Sequence, residues 1–146
     1  MSIFPTKILV ATDGSKEAEL AASTAADLAK SHDSELHVVY VEPASPPYWS
    51  MIDEFEDAGA ERTGPESRRR LEEQVRRIEE AGGTVAEAHL RLGRPDDQIV
   101  RLAQEIGAGL IVMGSRGHGG VLRALMGSVS ESVIRHAHCP VLVVRE

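Results

Sequence analysis

The sequence predicts an α/β fold: a doubly wound, five-stranded parallel sheet with helices on both faces. Three observations carry that reading. Runs too apolar for half-exposed strands alternate with longer stretches of helical spacing along the 146 residues, as expected of strands buried on both faces. The order β-α-β-α-β-α-β-α-β joins its strands through helical crossovers, which makes them parallel, and right-handed crossovers place helices on both sides. The length fits one domain over residues 1–146, since domains are most often about 100–150 residues long.

Lys7–Thr12 is the first buried-type strand. Asp13-Gly14-Ser15 breaks it and places Ser15 to cap the next helix. Ala18, Ala21, Ala22, Ala25 and Leu28 then form a narrow stripe at helical spacing, small enough to lie close against a sheet. Leu36–Val41 is the second strand, ended by Glu42-Pro43. Pro46, Pro47, Gly59, Gly64 and five acidic residues from Asp53 to Glu61 mark a long excursion, with room for a short helix around Trp49–Phe55. Pro65 suits the first turn of a helix carrying Leu71, Val75 and Ile78, stopped by Gly82-Gly83. Its arginines Arg68, Arg69, Arg70, Arg76 and Arg77, interleaved with glutamates, read as a solvated face, with a nucleic-acid patch as the alternative.

Thr84–Arg91 alternates, with Glu87, His89 and Arg91 on one side and Ala86, Ala88 and Leu90 on the other, as an edge strand does. Pro95-Asp96-Asp97 opens a helix with Ile99, Leu102 and Ile106 inside and Gly107 at its end. Leu110–Met113 is another fully buried strand, Gly114 to Gly127 a glycine-rich loop, Ser128 to His138 a helix and Pro140–Val144 the last strand.

Ligands of such sheets sit beyond the carboxyl ends of the strands, where the winding reverses. The candidate segments are Ala11–Ser15, Val41–Pro43 and the stretch from Gly114 to Ser130. Five glycines in that stretch allow several N–H groups to converge on an anion. Gly127-Ser128 then opens a helix whose N-terminal donors favour phosphate. Ser128 and Ser130 add hydroxyl donors, and Arg116 and Arg123 add charge. Neither the Walker-type G-x-x-x-x-G-K-[ST] nor a G-x-G-x-x-G after the first strand is present.

Gly114-x-x-Gly117, nine residues, then Gly127-Ser128 resembles the G-x2-G-x9-G-[ST] signature of the ATP-binding branch of the universal stress protein family. The start Ile8–Ser15, the finish Cys139–Val144 and the element order resemble that family as well, so the likeness covers nearly the whole chain. It implies a Rossmann-like sheet ordered 3-2-1-4-5 and an ATP site. In that site Asp13 contacts the ribose, the Val41 backbone pairs with adenine, and Gly114, Gly117, Gly127, Ser128, Val129 and Ser130 hold the ribose and phosphates. Ala11, Val39 and Val41 offer the apolar slot that adenine needs; Thr12, Met113 and Arg116 complete the expected set. Mg²⁺ or Mn²⁺ would be held mainly through the phosphates. The resemblance also implies a homodimer through the C-terminal strand, whose apolar Val141–Val144 falls at a sheet edge. The function implied is a nucleotide-dependent stress-response regulator or sensor. A weak ATPase or self-phosphorylating enzyme and a nucleotide-independent dimeric adaptor are the rivals.

Single residues leave bland readings open. Asp13 either caps the following turn or meets the ligand, and His118 is either a phosphate contact or a solvated loop histidine. Tyr48 and Trp49 cover the nucleotide or anchor their loop. His136 and His138 look like an H-x-H metal pair, but favourable charges at a helix C-terminus explain them and are preferred. His32, His37 and His89 have no partners at ligand spacing. Cys139, the single cysteine, reads as a small buried residue and allows no internal disulfide. The formal charge of −7 argues against nucleic-acid binding. The charge is uneven: residues 1–65 hold 12 acidic against 4 basic residues and residues 66–146 hold 11 against 12, so an anion finds the kinder field in the second half. No apolar run approaches the about 20 residues of a membrane span, and the first residues lack the pattern of a signal peptide. A cytoplasmic protein without membrane or nucleic-acid partners is the expectation.

Overall fold

Ile8, Leu9 and Val10 have no exposed surface, because the strand that carries them is paired on both sides and covered on both faces. That strand, β1 (Lys7–Thr12), lies between the parallel strands β2 (Glu35–Pro43) and β4 (Leu110–Gly114). With β3 (Glu87–Gly93) beside β2 and β5 (Val141–Val144) beside β4, the sheet is all-parallel in the order β3-β2-β1-β4-β5. The structure is a computed structural model and describes residues 2–43, 64–115 and 127–146. Among them are five strands and four helices, the latter α1 (Lys16–His32), α2 (Pro65–Glu80), α3 (Pro95–Ile106) and α4 (Ser128–His136). The expected excursion around Trp49–Phe55 and most of the glycine-rich loop lie outside the described residues.

Alternate strand residues point to opposite faces, and this splits the core in two. Ile8, Val10, Leu36, Val38 and Val112 pack under α1 and α2. Leu9, Ala11, Val39, Val41, Ile111 and Met113 pack under α3 and α4. The alanine stripe works as its spacing implies: Ala18, Ala21, Ala22 and Ala25 are buried, and Ala29 extends the row. Ser15 caps α1, its hydroxyl accepting the Ala18 N–H at 3.2 Å, and Gly107 ends α3 in the left-handed region at φ 72°. The arginines of α2 pair with its own glutamates, Arg70 with Glu66, Arg76 with Glu80 and Arg77 with Glu73, the solvated face that the sequence implies. No helix among the described residues is long and apolar enough to cross a membrane.

Several boundaries move, β2 running from Glu35 through Pro43 rather than over Leu36–Val41. β3 was expected from Thr84 but begins at Glu87. The turn at Gly82-Gly83 folds back on α2 through the Gly83 N–H and the Ile78 carbonyl, and the chain first meets β2 where the Ala86 N–H reaches the Leu36 carbonyl. The last helix stops at His136 rather than His138, because Ala137 has already turned extended, at ψ 148°.

Helix and sheet approach closely under the first turn of α1. A Cβ added at Gly114 would stand 3.0 Å from the Glu17 Cβ and 3.1 and 3.3 Å from the backbone of Glu17 and Ala18. Backbone cannot step aside as a flexible side chain can. Gly114→Ala is therefore expected to lose about 1–3 kcal/mol of stability. Gly107→Ala, which meets no atom within 4 Å but keeps φ 72°, is expected to lose about 1 kcal/mol. Urea denaturation midpoints at unchanged slope measure both.

Candidate functional site

β1 and β4 stop pairing before they end. Their ladder closes at the Val10–Val112 pair, although β1 runs on to Thr12 and β4 to Gly114. The reason is topological: the chain leaves β1 toward one face and β4 toward the other, which is the reversal of winding that opens a crevice in such sheets. A cavity of about 540 Å³ occupies this gap, within the range of small-molecule sites.

Ten of the twelve residues expected at the site line this one cavity. Ala11, Thr12 and Asp13 come from the end of β1, Val41 from β2, Met113 and Gly114 from β4, and Gly127, Ser128, Val129 and Ser130 from the start of α4. The other two, Arg116 and Gly117, lie outside the described residues, as do His118 and Arg123. Val39 and Ile99 extend the apolar wall beside Ala11, Val41 and Met113. Val41 stands one residue past the last β1–β2 pair, Thr12 with Tyr40.

The polar end is built around backbone. α4 begins at Gly127 without a side-chain cap, so the N–H groups of Ser128, Val129 and Ser130 have no intrahelical acceptor. The Gly127 N–H donates to the Ser115 carbonyl at 2.7 Å, and the Ser130 hydroxyl donates to the same carbonyl at 2.6 Å. This corrects one expectation. The Ser130 hydroxyl proton is spent inside the protein, holding the end of β4 to the start of α4, and does not point at a ligand. Gly127 has φ −69°, a conformation open to any residue, so its backbone angle does not explain its place.

Asp13 takes the local turn role that the sequence left open and also stands in the cavity wall. Its Oδ1 accepts the Ser15 N–H at 2.8 Å, a local turn bond, while the residue lines the cavity. The Thr12 hydroxyl is committed elsewhere, donating to Gln74 Oε1 at 3.0 Å and accepting the Gly14 N–H at 3.3 Å. Sequence reasoning missed Tyr40, Arg70 and Ser115. Arg70, exposed and paired with Glu66, also donates to the Tyr40 hydroxyl at 3.3 Å, and that bond is the first cause raising its already high pKa. Both residues line the cavity, and helical spacing alone does not reveal it. Ser115 carries the one available hint, its place directly after the first signature glycine. Its hydroxyl donates to the buried Glu17 carboxylate at 2.7 Å.

The remaining candidates separate. His136 Nδ1 donates to the Ser132 carbonyl at 2.8 Å in the last turn of α4, and His138 lies beyond the helix. Neither belongs to a cluster of three ligand-type side chains among the described residues. Cys139 is half-buried and burial pushes its thiol up, away from nucleophilic use. His37 and His89, expected to be without partners, lie side by side.

Comparison with known proteins agrees with this architecture. The universal stress protein family model matches residues 5–145. A universal stress protein of Methanocaldococcus jannaschii is 37% identical over 147 residues, covering 96% of this chain and 82% of that one. The structure of a universal stress protein from Archaeoglobus fulgidus in complex with dAMP superposes with a TM-score of 0.68 at 29% identity, covering 99% of this chain and 100% of that one. A universal stress protein in complex with cAMP gives 0.68 at 28% identity, covering 94% of each chain. The crevice at the sheet's reversal, its glycine-framed helix start and these matches lead to one assignment: the chain belongs to the universal stress protein family.

Proposed function

We propose that the cavity binds ATP and that the protein acts as a nucleotide-dependent regulator or sensor in the stress response. The observation that carries this reading is the meeting, in one cavity, of an apolar slot with an uncapped helix N-terminus. Adenine lies between Ala11, Val39, Val41 and Met113 and pairs with the Val41 backbone, and the ribose meets Asp13. The phosphates take the N–H groups of Ser128, Val129 and Ser130, where the helix dipole favours negative charge. The intact Gly114-x-x-Gly117-x9-Gly127-Ser128 spacing supports a triphosphate, as do the dAMP and cAMP complexes of the two similar proteins for a nucleotide in general. Asp13 is the one carboxylate in the described lining and already accepts the Ser15 N–H. Mg²⁺ or Mn²⁺ is therefore held mainly through the phosphates, where it neutralises their charge.

Gly127→Val sets a branched side chain where the α4 N–H groups open on the cavity. It is expected to lower ATP affinity by about tenfold or more (~1.4 kcal/mol), with the fold retained by circular dichroism. Calorimetry that finds unchanged affinity in the folded variant refutes the phosphate placement.

Among the described residues the lining supplies no evident pair of groups to position and activate a water, so hydrolysis is slow in this reading. Nucleotide extracted from purified protein and identified by mass spectrometry is expected to be intact ATP. Rapid multiple-turnover phosphate release, lost in Asp13→Ala, points instead to the ATPase, and an empty site points to the adaptor.

The proposal includes a homodimer through β5. This strand is the sheet edge, and its Leu142 is 37% exposed. An apolar edge is a template for pairing with another chain, and a two-fold axis closes the pairing. Light scattering at micromolar concentration is expected to give the dimer mass, and Val143→Lys the monomer mass. A persisting dimer in that variant places the interface elsewhere.

A further inference from the structure

At the opposite end of the sheet, β2 and β3 bring together three side chains that the nucleotide reading does not use. Glu87 stands directly beside His37 in the parallel register, and His89 follows two residues on, so all three project from one face of the ladder. His37 is buried, His89 half-buried and Glu87 exposed. The His37 Nδ1 lies 3.2 Å from the His89 Nε2. One ligand atom from each of the three residues lies within 4.8 Å of the others.

The fourth neighbour is Glu35, two residues before His37 on the same strand. Its Oε1 lies 3.3 Å from the His37 Nε2, so the Nε2–H donates to the carboxylate and leaves the Nδ1 lone pair facing His89. A carboxylate behind an imidazole is the arrangement that orients metal-binding histidines and raises their basicity. Two nitrogens bound to one tetrahedral ion at Zn–N distances near 2.0–2.1 Å stand about 3.3–3.4 Å apart. The observed 3.2 Å is close to that spacing.

We infer that His37 Nδ1, His89 Nε2 and the Glu87 carboxylate form a site for a divalent transition-metal ion such as Zn²⁺, with Glu35 orienting His37. Two imidazoles and a carboxylate are ligands of the right softness, and water takes the fourth position. The exposed Glu87 swings inward to complete the set without moving buried groups. Burial first, and then His37 and Arg91, lower the pKa of His89, opposed by Glu87 and Glu105. The cation Arg91 is held by Glu105 at 2.5 Å, which offsets its repulsion. The ion ties the edge strand β3 to β2. Val39, two residues on from His37, lines the nucleotide cavity, but His37, Glu87 and His89 are not among its lining residues, so the site is separate and does not rest on the nucleotide reading.

The test is a titration of dialysed, tag-free protein with Zn²⁺ and no nucleotide, followed by calorimetry and by thermal unfolding. The expected result is one ion per chain, a raised Tm, and a visible Co²⁺ absorption band of tetrahedral type. His89→Ala and Glu87→Gln are each expected to weaken binding at least about tenfold, with the metal-free Tm of Glu87→Gln close to wild type. The double variant His136→Ala/His138→Ala is expected to bind as wild type. Absence of Zn²⁺ binding, wild-type affinity in both His89→Ala and Glu87→Gln, or loss of binding in the His136/His138 variant overturns the assignment.

Discussion

Ser115 is the junction on which the site depends, because each of its polar groups holds a different element. Its N–H donates to the Val144 carbonyl on β5. Its carbonyl accepts the Gly127 N–H and the Ser130 hydroxyl at the start of α4. Its own hydroxyl donates to Glu17 in the first turn of α1, and Glu17 also accepts the Glu146 N–H. With Ser115 2% and Glu17 6% exposed, these bonds form away from water, where leaving any partner unmatched costs about 1–3 kcal/mol and more for a charge. One residue therefore registers two strands, the helix beneath them and the helix whose N–H groups face the cavity.

That junction answers a problem set by the sheet. A parallel sheet buried on both faces leaves its strand ends as the place where polar backbone can meet a ligand. The β1–β4 ladder must part there, and the parting strands carry unpaired backbone that needs a partner. At one lip of the gap the Gly14 and Ser15 N–H groups donate to the Thr12 and Asp13 side chains, with Thr12 held in turn by Gln74 of α2, and Ser115 satisfies the other. The cavity is thus the space left between satisfied strand ends, into which the uncapped N–H groups of α4 open.

Most of the fold was legible because it is local. Runs with apolar centres such as Lys7–Thr12 identify buried strands, and the Ala18-Ala21-Ala22-Ala25 spacing identifies both a helix and its inner face. The backbone part of the site was legible for the same reason, through glycine spacing ahead of a helix start. What depended on distant partners was not. The His37–His89 contact joins residues 52 apart, and the Ser115–Glu17 bond joins residues 98 apart. Period-two alternation says which face of a strand a residue occupies but not which neighbour it meets, since register is set by the crossover between strands. Arg70 looks like every other arginine on α2 until the fold brings Tyr40 to it. The start of β3 was misplaced because Thr84 and Val85 have strand character but no ladder partner until the turn from α2 is complete.

The close approach at Gly114 changes how much its presence says about ligands. Here a side chain is refused by the backbone of α1, not by anything in the cavity. A chain of this architecture that bound no nucleotide at all would still favour glycine at that position to seat its first helix. Of the four signature positions, the first therefore reports on assembly, and diagnostic weight for phosphate recognition shifts to Gly117 and to the Gly127-Ser128 pair.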